Sequence, residues 1–226
     1  DTLGFFTHAP TDMRALWQAL GQPVAPGPDV DVMGFAGDLP DVEPAMAAAF
    51  QQTVERVRQA GVTMQPVALA DLLRDLRQAS HTVMFYEGAR AHAERYREHG
   101  SRMEDMGELV REGLQIGDAA YDEARRRIAA CHAQFAGLYA ATPIILAPAA
   151  PGPAPFSLAS TGDARMNAPW TAMGTPAISI PMPVGDSLPL GLQLTAERGG
   201  DADLLHAAVR LHAVLHRLPA GAAARA

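Results

Sequence analysis

Residues 161–194 carry the sequence TGDARMNAPWTAMGTPAISIPMPVGDSLPLGLQL. A loop containing proline and glycine leads into a helix start, and two apolar segments follow at 177–180 and 190–195. The turn residues GDSLP at 185–189 separate these two segments. The pattern predicts two buried strands joined by a hairpin-like return.

Strands and helices alternate along the rest of the chain. Apolar residues at 30–35 and 62–69 predict two further strands, and the segment 41–60 between them has helical spacing. This order is typical of a βαβ unit with parallel strands. Other helices are predicted at 12–20, 72–99, 118–141 and 202–218, and a short strand is predicted at 144–147. The chain is therefore expected to be α/β, with a mixed β-sheet flanked by helices.

The domain organisation follows from length and composition. A chain of 226 residues can bury a substantial core, and we expect a single α/β domain over residues 1–218. The low-complexity end, 219–226, is expected to be a loose tail. Prolines and glycines gather at 148–163, which is either a domain linker or a loop at a sheet edge. Because apolar strands flank this segment, the loop is the better interpretation.

Charge and composition exclude several classes of function. The net charge is −7 and the arginines are scattered, which argues against a nucleic-acid partner. Apolar runs are too short to span a membrane, and we expect no membrane partner. The single Cys131 cannot form an internal disulfide, which favours a reducing compartment, and we expect a cytoplasmic protein. The chain opens at Asp1 instead of Met, which suggests a fragment or a processed product.

Three blocks of the sequence resemble the amidase signature family, and they come in that family's order. The first is DTLG at 1–4 with the helix that follows, and the second is the βαβ unit at 30–69. The third is the segment 161–194, with IILAP at 144–148 before it and DADLL at 201–205 after it. Together the blocks cover most of residues 1–215. The resemblance implies part of an α/β/α amidase fold.

The same resemblance implies a reaction and a missing catalytic centre. Members of the family hydrolyse amides through a serine nucleophile, a second serine in a cis peptide and a lysine that shuttles protons. This chain contains 18 arginines and no lysine, and no serine lies in a Gly-Ser-Ser-Gly context. Its serines are Ser80, Ser101, Ser157, Ser160, Ser179 and Ser187. We therefore expect the carboxyl-terminal portion of an enzyme that hydrolyses a small carboxamide, with the triad upstream, no cofactor, and no turnover by this chain alone.

Two residues are candidates for the wall of the substrate pocket. Ligands of open α/β sheets lie beyond the carboxyl ends of the strands, where the loop after 144–147 and the next helix start are expected. Asn167 and Trp170 lie at that helix start. Asn167 could contact a polar substrate or could only cap the helix, and Trp170 could line the pocket or only fill the core.

Other chemical constellations are weaker. His212 and His216 have the i, i+4 spacing of a metal pair, but no third ligand is evident and we expect no metal. Ser179, between two isoleucines of a predicted buried strand, is expected to hydrogen-bond in the core. The sequence Gly199-Gly200-Asp201 is interpreted as a turn followed by a helix cap at Asp201.

A second class of function stays open at the level of sequence. The chain could be a stand-alone, non-catalytic α/β module that binds a small ligand or a partner chain. In either case the predicted sheet would have exposed edges, and we expect a homodimer or an aggregation-prone monomer.

Overall fold

The computed structural model describes residues 3–24, 30–38, 41–156 and 160–216. The chain divides into two compact units, one made of Asp1–Leu69 with Ala136–Ala226 and the other of Ala70–Phe135. The single domain expected over 1–218 stays a prediction. Asp1, Thr2, Ser157 and the tail at 219–226 lie outside the described residues.

The first unit contains one five-stranded mixed sheet with the strand order β2-β1-β3-β5-β4. Its strands are β1 (Val32–Ala36), β2 (Thr63–Val67), β3 (Ile144–Pro148), β4 (Ala177–Pro181) and β5 (Gly191–Ala196). The strand β1 pairs in parallel with β2 and β3, whereas β5 is antiparallel to both β3 and β4. The predicted mixed sheet and its parallel βαβ unit are confirmed.

Four helices lie wholly in the same unit: α1 (Pro10–Ala19), α2 (Pro44–Gln59), α6 (Ala168–Met173) and α7 (Asp201–Leu215). Proline occupies the first position of α2, where a missing N–H costs nothing. The helical spacing of Phe50, Val54 and Val57 then gives this helix one buried stripe.

The two faces of the sheet carry different chemistry. Side chains alternate along β5, and Leu192, Leu194 and Ala196 join the core formed with α2 and α7. We call this side of the sheet the α2/α7 face. Gln193 and Thr195 point to the opposite face, where they are buried polar residues. The opposite face is therefore the one that can hold a polar network.

The second unit contains the helices α3 (Ala70–His99) and α4 (Glu104–Gly113), and most of α5 (Asp118–Ala141). Close packing of α3 and α4 depends on Gly113, where a Cβ would lie 1.9 Å from the carbonyl oxygen of Phe85. The rings of Tyr86 and Tyr121 stack with centroids 4.0 Å apart, which ties α3 to α5 within this unit. The predicted helices at 72–99 and 118–141 are confirmed.

Two local predictions are wrong. The strand β4 lies at the edge of the sheet, and Ser179 is exposed instead of buried in the core. The helix α7 begins at Asp201, so that Gly200 occupies the cap position and no side chain caps the helix. Its predicted end at 218 lies outside the described residues.

Candidate functional site

The candidate site lies just beyond the carboxyl end of β3, on the opposite face of the sheet from α2. A short 3-10 helix at Ala164–Met166 follows the loop after β3, and α6 begins two residues later at Ala168. Asn167 precedes the first residue of α6, and its Nδ2 donates a hydrogen bond to the carbonyl oxygen of Ala149 at 3.2 Å. The structure therefore places Asn167 where the strand order predicts a ligand site.

Gln193 connects Asn167 to the core. Its Nε2 donates to Asn167 Oδ1 at 2.8 Å, and its Oε1 accepts from the indole Nε1 of Trp170 at 2.7 Å. Gln193 is 4% exposed, and in the register of β5 it lies opposite Ala147 of β3. Hydrogen bonds between buried polar groups fix rotamers, so this glutamine sets the orientation of both partners.

Sequence reasoning missed Gln193, although a signal was present. A glutamine between Leu192 and Leu194, in a strand predicted to be buried, must find hydrogen-bond partners in the core. That requirement identifies Gln193 as part of a network, but it does not identify the partners.

The structure distinguishes between the alternative roles that the sequence offers for Asn167 and Trp170. Asn167 lies at the cap position of α6, but its side chain makes no cap hydrogen bond, so the cap interpretation is wrong. The reason is that hydrogen bonds to Ala149 and Gln193 hold the side chain toward the end of β3. Asn167 is exposed, whereas Trp170 is 2% exposed and lies behind it in the core. Substrate contact by either residue stays a prediction.

Ion pairs fasten the loop beside this site. Arg165 contacts the carboxylate of Asp163 through two nitrogens, and its Nη1 lies 3.2 Å from Asp41 Oδ2. The hydrogen bond with Asp163 raises the pKa of Arg165 above its usual value. The backbone N–H of Glu43 also donates to the carbonyl oxygen of Pro151 at 2.8 Å. The loop that follows β3 is thus tied to the start of α2.

A second buried polar contact lies deeper on the same face. The hydroxyl of Thr195 donates to the carbonyl oxygen of Pro176 at 3.0 Å, and Tyr139 Oη lies 2.9 Å from Thr195 Oγ1. Because threonine has one hydroxyl hydrogen, Tyr139 is the donor in the second contact. Burial raises the pKa of Tyr139 to about 12, so its hydroxyl keeps the proton that this contact needs.

The histidine pair at the end of α7 forms a different kind of site. The rings of His212 and His216 lie 4.5 Å apart, and His216 Nε2 is 3.2 Å from the carbonyl oxygen of Pro181. Burial, with smaller contributions from His216 and His8, lowers the pKa of His212. Across the described ranges, no cluster of three or more His, Cys, Asp or Glu side chains could hold a metal ion.

No helix within the described ranges has the length and apolarity needed to cross a membrane.

Comparison with known proteins places this chain in a family. The amidase family model matches residues 30–205. The 2-amino-5-chloromuconic acid deaminase of Comamonas testosteroni is 27% identical, and the match covers 95% of this chain and 51% of the deaminase. The crystal structure of an amidase superposes with a TM-score of 0.84 at 22% identity, covering 92% of this chain and 52% of its own.

A 6-aminohexanoate cyclic dimer hydrolase, solved with its substrate, has a TM-score of 0.61 at 21% identity, covering 85% of this chain and 46% of its own. At these identities the solved structures show a shared fold. The chain spans about half the length of the relatives that it matches. The family model covers more than half of the chain and includes the second and third blocks described above, and the chain belongs to the amidase signature family.

Proposed function

We propose that the chain is the carboxyl-terminal portion of an enzyme that hydrolyses a carboxamide, and that it supplies scaffold and one wall of the substrate pocket. The supporting observation is the position of Asn167, held at the carboxyl end of β3 by Ala149 and Gln193. A family model for amidases covers the residues that build this arrangement.

The side chain of Asn167 suits a carboxamide substrate. Its amide group has two N–H donors, of which one bonds Ala149, and its oxygen has two lone pairs, of which one faces Gln193. One donor and one acceptor therefore remain on an exposed side chain. These two groups match the C=O and N–H of a carboxamide, so Asn167 would orient the scissile group instead of reacting with it.

The bond-breaking residues would come from outside these 226 residues. A proton-shuttling lysine cannot come from a chain without lysine. In the proposed reaction a serine attacks the amide carbonyl, the amine leaves after protonation, and water hydrolyses the acyl-enzyme to a carboxylate. The proposal includes a cytoplasmic location, which is supported by the single cysteine, since it rules out an internal disulfide.

The test compares the 226-residue chain with a polypeptide extended along its own upstream reading frame. We expect no hydrolysis of simple amides by the chain alone, and turnover by the extended enzyme. In the latter, Asn167→Ala should raise KM for a carboxamide about tenfold, the effect of losing roughly 1.4 kcal/mol of binding. Thr171→Ala, an exposed change on α6, is the matched control.

Two results would count against this function. One is amide turnover at enzymatic rates by the isolated chain. The other is an upstream reading frame that lacks a Gly/Ser-rich stretch and a lysine, which would favour the non-catalytic module instead.

A further inference from the structure

A cavity lies at the point where the strand order of the sheet reverses. From β1 the chain passes through α2 to β2 on one side, while β3 pairs with the other side of β1. Parallel strands end at the same edge, so Gly37 after β1 and Pro148 at the end of β3 both border this crevice. Open α/β sheets bind small molecules at such a switch point.

The cavity, which we call the β1/β3 cavity, has a volume of about 280 Å³. This size is near the lower end of small-molecule sites, which suits a ligand with one ring or a short branched chain. Helix α2 forms one wall, so the cavity lies on the α2/α7 face. The Asn167–Gln193 network lies on the opposite face of the sheet, and the two sites are separate.

The lining of the β1/β3 cavity is mostly apolar, with one cationic side chain at the end of its helical wall. Apolar side chains include Phe35, Val42, Phe50 and Val54, while Gln51 and Arg58 are its long polar groups. Both polar residues lie on α2, and Arg58 is in the last turn of that helix. An apolar body with one cationic end is complementary to an amphiphilic anion.

We propose that the β1/β3 cavity binds a small organic carboxylate, with its hydrocarbon part against Phe35 and Phe50 and its carboxylate on Arg58. The guanidinium offers a planar set of five N–H donors that matches a carboxylate in a two-point contact. Binding here would be independent of amide hydrolysis, because it uses another face of the sheet.

Glu55 is the natural competitor for Arg58. Arg58 Nη1 lies 2.6 Å from Glu55 Oε2, and the two side chains are 48% and 49% exposed. Exposed ion pairs contribute little free energy, so a bound carboxylate can share the guanidinium or displace Glu55. Removing the glutamate charge should therefore strengthen binding of an anion, whereas removing the arginine charge should weaken it.

The test is an NMR titration of the purified 226-residue chain with 3-phenylpropionate. We expect saturable binding that is at least tenfold weaker for Arg58→Gln and severalfold tighter for Glu55→Gln. Arg56→Gln, an exposed change in the same helical turn and outside the cavity lining, should change the affinity less than twofold. The neutral analogue 3-phenylpropanol should bind at least tenfold more weakly than the acid.

A variant that fills the cavity tests the location of the binding site separately from the charge. Ala47 lines the cavity and is only partly buried, so Ala47→Leu should fill the space and abolish binding while the helix stays folded. Circular dichroism of each variant checks the fold. The proposal is wrong if the native chain does not bind 3-phenylpropionate, or if neither Arg58→Gln nor Ala47→Leu changes its affinity. Neither outcome depends on whether the extended enzyme hydrolyses amides.

Discussion

The carboxamide of Gln193 donates to the carboxamide of Asn167, with 2.8 Å between Nε2 and Oδ1. This bond joins a buried strand residue to an exposed residue at the start of α6. Asparagine at an exposed helix start usually turns its side chain toward the backbone of its own helix. Here it is held toward the end of β3 instead, and one donor and one acceptor of its side chain have no partner among the described residues.

Replacing Gln193 should destabilise the fold measurably. Gln193→Leu removes two side-chain hydrogen bonds and takes from the indole of Trp170 its buried acceptor, so we expect a loss of about 1–3 kcal/mol. Urea unfolding followed by circular dichroism measures the change. The matched control is Gln65→Leu on β2, an exposed strand position, where the effect should stay within about 0.5 kcal/mol. Equal effects of the two substitutions would contradict a bridging role for Gln193.

Part of this fold follows directly from the sequence. Apolar runs separated by helical patterns predict five strands, and the helix between 30–35 and 62–69 predicts their parallel pairing. The position of β4 does not follow in this way. Ile178 and Ile180 have the composition of a buried strand, but strand order is set by long-range pairing, which leaves Ala177 and Ser179 exposed at an edge.

The side-chain contacts of Asn167 are likewise set by residues far away along the chain. Local chemistry predicts a cap at Asn167, because asparagine commonly caps helices. Its actual partners, Ala149 and Gln193, are 18 and 26 residues away along the chain. Only the folded sheet brings these groups together, so sequence reasoning could locate the residue but not its contacts.

Gly34 should resist even the smallest side chain. This glycine is buried on β1, where a Cβ would lie 2.8 Å from Val67 Cγ2 and 2.9 Å from Thr142 Oγ1. Gly34→Ala should therefore cost about 1–3 kcal/mol through overpacking. Gly137→Ala on α5 is the matched control, because its Cβ would meet no atom within 4 Å. A helical glycine replaced by alanine should gain about 0.5–1 kcal/mol, so thermal melts should shift in opposite directions. A higher melting temperature for Gly34→Ala would rule out this packing argument.

Tyr139 should make stability fall at alkaline pH. Its folded pKa is raised by burial to about 12, whereas an unfolded tyrosine titrates near 10. Between these values the folded state binds more protons, so the free energy of unfolding decreases as the pH rises, by at most about 1.4 kcal/mol per unit from this group. Tyr139→Phe should flatten that slope between pH 10 and 11, as measured by urea unfolding. Tyr96→Phe, in the second unit, is the control. An unchanged slope in Tyr139→Phe would show that another group sets the alkaline limit.

The open edge of β4 should drive self-association, and we propose a homodimer through this edge. The carbonyl oxygen of Pro176 bonds to β5, and the N–H of Met182 bonds to the residue just before β5. Successive residues of a strand direct their backbone N–H and C=O groups to opposite sides, so those of Ala177 and Ser179 face away from β5. In the described part of the chain, no backbone–backbone hydrogen bond joins Ala177 or Ser179 to a segment on this outer side. An unpaired strand edge of this kind can pair with a second copy, and a charge placed on it opposes pairing.

Sedimentation velocity should show a concentration-dependent dimer that Ala177→Lys shifts strongly toward monomer, while the exposed loop change Gln22→Lys leaves it intact. A chain that stays monomeric at every concentration would refute the dimer, and an equal effect of both lysines would assign the change to net charge instead of the edge.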